Sequence, residues 1–173
     1  TGVQTCALPI YMEQYKMLRC CEFKVMGAPV GKERPRIGKS GHVYTPTKTK
    51  LFEKSVSQYA WVAMHREKLK PASKRLSVII TSYFEIPKSF SKNKTIEAQA
   101  GIIIPSKIDI DNLAKAILDA CNGIVWKDDA QVWHLCSFKR YCDVDQKPHT
   151  HVKVQWDETA NTSNLVHTSL ATL

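Results

Sequence analysis

The segment from Lys107 to Val132, KIDIDNLAKAILDACNGIVWKDDAQV, decides how this chain folds because it contains a helix between two acidic stretches. Apolar residues recur along it at helical spacing: Leu113, Ile117 and Ala120. This spacing predicts a helix over residues 112–122, with Asp111 as its N-cap and Gly123 as its stop. The buried side of that helix needs a sheet or another helix to pack against.

The acids around this helix need an explanation because the chain is basic. Its 25 Lys and Arg residues outnumber 16 Asp and Glu residues, for a formal net charge of +9. Asp109 and Asp111 are two residues apart, so in an extended approach to the helix their side chains point the same way. Two carboxylates about 4 Å apart repel each other by roughly 4 kcal/mol at an effective dielectric constant near 20. A divalent cation offsets this repulsion, and oxygen ligands favour Mg²⁺ or Mn²⁺.

Further charged residues supply the other groups that a phosphoryl-transfer site needs, a lysine and additional carboxylates. Lys115 lies one turn beyond Asp111, and Asp128 and Asp129 follow the helix stop on the returning chain. Plainer interpretations remain open: Asp111 as a helix cap only, Lys115 with Asp119 as an i,i+4 surface pair, and the second acidic pair as a turn.

An EF-hand calcium loop is excluded by its own spacing rule. Counting from Asp109, the sixth position is Ala114 instead of glycine, and the twelfth is Ala120 instead of glutamate.

The rest of the chain alternates strand and helix patterns, which predicts a single α+β domain with helices packed on a mixed β-sheet. Residues 76–84 are rich in β-branched and aromatic residues and indicate a central strand. A helix is predicted from Thr47 to about Leu69, capped by Thr47 or Thr49. Residues 88–101 indicate a short helix or a lid-like loop. Further strands are predicted near residues 21–28, 43–46, 130–142 and 150–156.

Composition limits the class of protein further. Hydrophobic residues make up 43% of the chain, enough for a core, and no apolar run approaches the roughly 18 residues of a membrane span. The cysteines form no C-x-x-C pair, so we expect reduced thiols in a cytoplasmic protein, with Cys121 and Cys136 as packing residues.

We divide the chain into four segments. Residues 1–10, TGVQTCALPI, look like the translation of a sequencing-adapter oligonucleotide and are interpreted as an artefact. Residues 11–21 are interpreted as an N-terminal extension and 22–156 as the folded domain. Residues 157–173 are rich in Ser, Thr and Asn and are expected to form a mobile tail.

The central motif resembles that of the RusA family of Holliday-junction resolvases of bacteria and their phages. The shared features are D-x-D-N-L, a Lys four residues after the second Asp, LDA, NG and W-x-D-D-A-Q, with GKERPR and GHVYTPTKTK upstream. Many members have Pro or Arg where this chain has Ile108, which puts in doubt a phosphate contact there.

The resemblance implies a Mg²⁺-dependent endonuclease (Mn²⁺ substituting) that acts as a homodimer on four-way DNA junctions. Such enzymes make paired nicks in strands of like polarity, in DNA recombination and repair. Carried over by position, the metal ligands are Asp109, Asp111 and Asp129, with Asp128 as the alternative ligand, and Lys115 is the catalytic lysine. The resemblance selects Asp129 over its neighbour.

A large positive charge favours nucleic acid as the partner. We expect basic residues before and within the motif to contact DNA: Lys32, Arg34, Arg36, Lys39, Lys48, Lys50 and Lys107. A solvated loop is the alternative for the first six. Two rival functions stay open: a less selective nuclease of branched DNA, and a catalytically silent protein that binds DNA junctions.

Overall fold

This computed structural model describes residues 18–38 and 41–157. The strands are β1 Leu18–Met26, β2 Arg36–Ile37, β3 Val43–Tyr44, β4 Leu76–Phe84, β5 Val132–Tyr141 and β6 His149–Asp157. The helices are α1 Thr47–Arg66, α2 Lys92–Gln99 and α3 Ile110–Cys121. The interpretations of residues 1–10, of most of the extension and of the tail beyond residue 157 lie outside the described residues, as does Lys39.

The four long strands form one mixed sheet in the order β1-β6-β4-β5. β4 runs parallel to β5, and the β1–β6 and β4–β6 pairs are antiparallel. A separate two-stranded ribbon pairs β2 with β3. This mixed sheet with its helices confirms the predicted α+β class, and β4 is an interior strand as its composition indicated.

One face of the sheet carries the core, because alternate residues of each strand point to it. Val78 and Ile80 of β4 meet Val154 and Val152 of β6 in register, and all four are fully buried. Helix α1 packs on β1 and on α3, and α3 packs on β5. The helices therefore cover this face and bring the acidic segment against the edge strand β5.

Helix α3 begins earlier than the sequence predicted. It starts at Ile110, so the N-cap position belongs to Asp109, and the prediction of Asp111 as N-cap is wrong. Acids are favoured at both positions, which is why residue type alone did not distinguish them. The predicted buried side is confirmed: Leu113, Ile117 and Ala120 are all buried.

Gly123 follows α3 with φ of 76°, a left-handed conformation that suits glycine after a helix C-cap, as predicted. Helix α1 departs from its predicted cap, because Pro46 holds the N-cap position and no side chain caps the helix. Thr49 was a candidate, but its side chain is fully buried on the core side of α1. In α2, the Ser91 hydroxyl accepts a hydrogen bond from the Lys94 backbone at 3.4 Å, so residues 88–101 contain the helix of the two alternatives.

The cysteines of the described part are free thiols. Cys121 is fully buried, which confirms its packing role, and Cys136 is half-buried. Burial, with a smaller contribution from neighbouring Cys20, raises the pKa of Cys21 to about 11, so this thiol stays protonated and unreactive near neutral pH. Among the described helices, none combines the length and the apolar character needed to cross a membrane.

Candidate active site

Two bare carboxylates stand at the N-terminal end of α3. Asp109 has extended backbone angles (φ −69°, ψ 143°), and its side chain makes no capping hydrogen bond. Asp111 lies inside the first turn of the helix, so the extended i,i+2 arrangement assumed from the sequence is wrong for this pair. Both side chains are exposed, and within the described residues neither makes a hydrogen bond or an ion pair.

The turn before Asp109 is held from two sides. Lys139 on β5 donates a hydrogen bond from Nζ to the carbonyl oxygen of Ile108 at 2.8 Å. On the other side the Lys32 backbone N–H donates to the Asn112 carbonyl at 2.8 Å. Gly31 packs so closely here that an added Cβ would lie 2.6 Å from Ile108 Cγ2. Only glycine permits this approach, so the loop and the helix start form one fixed unit.

Lys115 is exposed one turn beyond Asp111 on the same side of α3. The alternative that pairs Lys115 with Asp119 is not what the structure contains, because Asp119 Oδ2 lies 2.8 Å from Lys32 Nζ. Among the described residues, Lys115 has no ion-pair partner. Its ammonium group is therefore available to a substrate.

Lys32 forms a partly buried ion network instead of an open cationic site. Its ammonium contacts Asp119 and Glu53 together. Burial acts to lower the pKa of Lys32, but hydrogen bonds to the two carboxylates outweigh it and leave the pKa raised above 10.5. The network links the loop, α1 and α3.

The chain after α3 is anchored by Trp126, which is fully buried and donates from Nε1 to Asn122 Oδ1 at 2.6 Å. The Ala72 backbone N–H donates to the Val125 carbonyl at 2.7 Å. Trp126 is therefore a packing anchor for the acids that follow. These contacts fix the chain at the C-terminal end of α3.

Gln131 holds the acidic turn in place. Its amide nitrogen donates to the carbonyl oxygens of Ala72 and Lys74, each at 2.9 Å. Its amide oxygen accepts from the backbone N–H groups of Lys127 and Asp128 at 2.9 and 3.1 Å. This role was not predicted from the sequence, although an Asp followed three residues later by Gln is a capping-box signal.

The two neighbouring aspartates of this turn differ in what they contact. Asp128 accepts a hydrogen bond on Oδ1 from the Ala130 backbone at 2.8 Å, completing a capping box with Gln131. Asp129 opens a 3₁₀ turn and is exposed, with no partner among the described residues. One acid is thus occupied in capping while the other is free.

The free carboxylates lie at opposite ends of α3. Its 12 residues extend about 18 Å at 1.5 Å per residue. At one end of α3, Lys139 near the end of β5 contacts Ile108. At the other end, Asp129 opens the 3₁₀ turn that leads into the start of β5. Accordingly, no group of three His, Cys, Asp or Glu residues in the described part is arranged to hold a metal ion. A single chain does not bring the three predicted ligands together.

The donor chemistry of the first end nevertheless suits Mg²⁺. This ion keeps several waters and takes one or two carboxylates, with substrate phosphate completing its shell. Asp109 and Asp111 offer such a pair, and neither side chain makes a contact within residues 18–38 and 41–157.

The predicted DNA-binding residues fall into two groups. Lys32 is engaged as described, and Arg36 contacts Glu33 at 3.0 Å on the surface. The remaining residues are exposed and have no partner within the described part of the chain: Arg34, Lys48, Lys50 and Lys107. These four are the better placed to meet a polyanion.

The net charge of +9 favours a polyanion such as nucleic acid as the partner of this site. The model of the family described as endodeoxyribonuclease RusA matches residues 26–155, most of the chain. The chain is also 34% identical over 142 residues to the uncharacterized protein YqaN of Bacillus subtilis (strain 168), covering 79% of this chain and 96% of that protein. The chain belongs to the RusA endodeoxyribonuclease family, a family of nucleases that hydrolyse phosphodiester bonds.

Proposed function

We propose that this protein resolves Holliday junctions by paired, Mg²⁺-dependent nicks in strands of like polarity, in DNA recombination and repair. Membership of the RusA family carries the proposal. Two neighbouring carboxylates support it. Asp109 and Asp111 have no partner among the described residues, and a cation would offset their repulsion on a chain of net charge +9. The site of action would be the cytoplasm of a bacterium or of a phage-infected cell.

The exposed basic side chains bind the phosphates of DNA. Arg34 lies on the loop between β1 and β2, and Lys48 and Lys50 lie in the first turn of α1. Lys107 precedes the acids at the start of α3. Each phosphate neutralised contributes about −0.9 to the slope of log affinity against log salt. Binding that weakens steeply with salt is therefore expected.

The residues at the N-terminal end of α3 have separate roles. Asp109 and Asp111 hold the metal ion, and Mn²⁺ is expected to replace Mg²⁺ there. The bound ion supplies charge neutralisation at the phosphate and activation of the attacking water. The Lys115 ammonium group donates a hydrogen bond to the scissile phosphate or to the leaving oxygen, where negative charge develops. Lys139 keeps the turn before Asp109 in position through the Ile108 carbonyl.

A homodimer gives Asp129 a place in this site. Within one chain Asp129 lies at the far end of α3 from the other two acids. In a two-fold dimer each contact occurs twice, so a second copy can bring its acidic turn to this chain's Asp109 and Asp111. The edge strand β5 offers surface for such a contact through three exposed apolar residues, Trp133, Leu135 and Phe138. Two equivalent sites would also account for paired nicks.

The direct test is titration of Mg²⁺ into a cleavage assay with a preformed four-way junction. Symmetrical nicks that depend on the ion are expected, and a calcium control should permit binding without cutting. Cleavage of fork, flap and linear duplex substrates is measured in parallel. Equal cleavage of all branched forms would instead establish the less selective nuclease, and binding without cleavage would establish the silent junction-binding protein.

A further inference from the structure

An aromatic cleft opens beside the carboxylate pair, at the carboxyl ends of the parallel strands β4 and β5. Its volume is about 630 Å³, within the range of pockets that hold small ligands. Three half-buried aromatic side chains line it: Phe84, Phe90 and Tyr141. Ligands in open sheets with parallel strands commonly bind at this end of the strands.

The cleft is built from fixed parts. Cys142 donates from its backbone N–H to the Phe84 carbonyl at 2.8 Å, which ties the ends of the two strands together. Phe90 donates to the Pro87 carbonyl at 2.9 Å, so the loop between them forms a tight turn. The Phe90 and Tyr141 rings meet edge to face at 5.7 Å between centroids. The aromatic surface is thus held in place before any ligand arrives.

The charges around the cleft suit a nucleotide. Lys88 and Lys107 line it, and Lys94 lies 5.0 Å above the Phe90 ring. Glu85 is the acid of the lining, and its carboxylate can accept a hydrogen bond from a base edge. Aromatic rings stack on nucleobases of any sequence, while lysines neutralise the attached phosphate.

The position of the cleft connects it to the acids. Lys107 lines the cleft and is two residues before Asp109. Tyr141 is two residues after Lys139, whose ammonium holds the Ile108 carbonyl. A nucleotide seated in the cleft would therefore lie next to the phosphate held at Asp109 and Asp111.

We propose that this cleft binds one unpaired nucleobase of the branched DNA, next to the scissile phosphate, and so helps to set where the strand is cut. The proposal rests on the proposed function, since it takes the same DNA as the ligand. It adds a base-binding site that uses Phe90 and Tyr141 for stacking.

The probe is 2-aminopurine, placed in turn at each nucleotide around the crossover of a four-way junction. Its fluorescence is measured on binding without metal, so that the readout does not depend on cleavage. When the wild-type protein binds, 2-aminopurine at one position should show a larger fluorescence change than the opening of the junction alone causes. Phe90→Leu should remove that extra change, and Phe90→Tyr should keep it. Tyr59→Leu is the matched control, since Tyr59 is an exposed ring on α1 outside the cleft.

A cleavage arm completes the test. An abasic nucleotide at the responsive position should slow wild-type cleavage about tenfold, since base–aromatic stacking has this order of effect. It should not slow Phe90→Leu further, because that variant has already lost the contact. Tyr141→Leu provides a second variant if Phe90→Leu does not fold.

The possible failures are distinguishable. If the wild type, Phe90→Leu and Tyr141→Leu give the same fluorescence at every labelled position, and the junction is cleaved normally, the proposal that the cleft binds a base is wrong. The proposed function then still stands. Absence of junction binding and cleavage in the wild type overturns both.

Discussion

The two ends of helix α3 present acids in opposite states. At the N-terminal end, the side chains of Asp109 and Asp111 have no partner among the described residues, and hydrogen bonds from Lys139 and Lys32 hold only the backbone around them. At the C-terminal end, Asp128 caps a turn that Gln131 ties to the segment before β4, and Asp129 has no partner within the part of the chain that the structure describes. The fold thus uses the side chain of Asp128 for structure, while the side chains of Asp109, Asp111 and Asp129 make no contact within the described residues.

The largest effect is expected from Asp111→Asn at the N-terminal end. This change removes metal ligation, which contributes several kcal/mol to such reactions, so cleavage should fall about a thousandfold. Junction binding should persist, because the change also removes negative charge near DNA. Single-turnover cleavage and gel shift measure the two properties.

The control for this change is Asp145→Asn, at another exposed aspartate with no partner among the described residues. Its cleavage should equal that of the wild type. Normal cleavage by Asp111→Asn would rule out the proposed site.

Gln131→Ala should affect the C-terminal end through stability. It removes four hydrogen bonds, and at about 0.5–1.5 kcal/mol each the unfolding free energy should fall by about 3 kcal/mol. Urea denaturation measures the change. Gln146→Ala, in an exposed loop, is the control and should leave stability unchanged. A loss below about 1 kcal/mol would show that the acidic turn does not depend on this clamp.

Lys139→Met should reduce cleavage about tenfold, the lower end of what is lost when a group that orients a metal ligand is removed. The effect acts through the position of Asp109, so the apparent affinity for Mg²⁺ should weaken while junction affinity changes little. Lys139→Arg should restore part of the activity, because it keeps a donor for the Ile108 carbonyl. Lys24→Met, at an exposed lysine on β1, is the control. An unchanged Mg²⁺ dependence in Lys139→Met would leave this lysine with a packing role only.

The smallest effect concerns the network that joins the ends. Lys32→Met should lower the unfolding free energy by about 1 kcal/mol, the upper value for a partly exposed ion pair. The pKa of Lys32 is raised above 10.5, so its contribution is fully present below that pH and is lost only as pH rises through the higher folded value. The difference between variant and wild type should therefore stay constant from about pH 7 to 9. A larger loss of DNA affinity than of stability would instead indicate that Lys32 leaves its carboxylates to contact phosphate.

The sequence predicted what depends on local spacing and missed what depends on contacts across the fold. The buried side of α3 follows from Leu113 and Ile117 at helical spacing, and the stop at Gly123 follows from residue type. The contact of Lys139 with Ile108 joins residues 31 apart in the chain, and no local pattern indicates it.

The separation of the acids was also not apparent from the sequence. Asp111 and Asp129 stand in one short motif, yet the rigid helix between them holds the two ends about 18 Å apart. The motif is short in sequence, so it suggests one metal site for all three ligands within one chain. The sequence pattern does not give the distance that the helix places between them. The start of α3 was missed for a different reason, since Asp109 and Asp111 are equally suited to an N-cap.

Mixed dimers test most directly whether both ends of α3 serve one metal site between two copies. Asp111→Asn and Asp129→Asn chains, each with a different tag, are co-expressed and purified through both tags. If sites are shared, one site of the mixed dimer combines both substitutions and the other has neither, so the dimer should regain single-strand nicking that both parent homodimers lack. A mixed dimer as inactive as its parents, although folded and bound to junctions, would contradict the shared site.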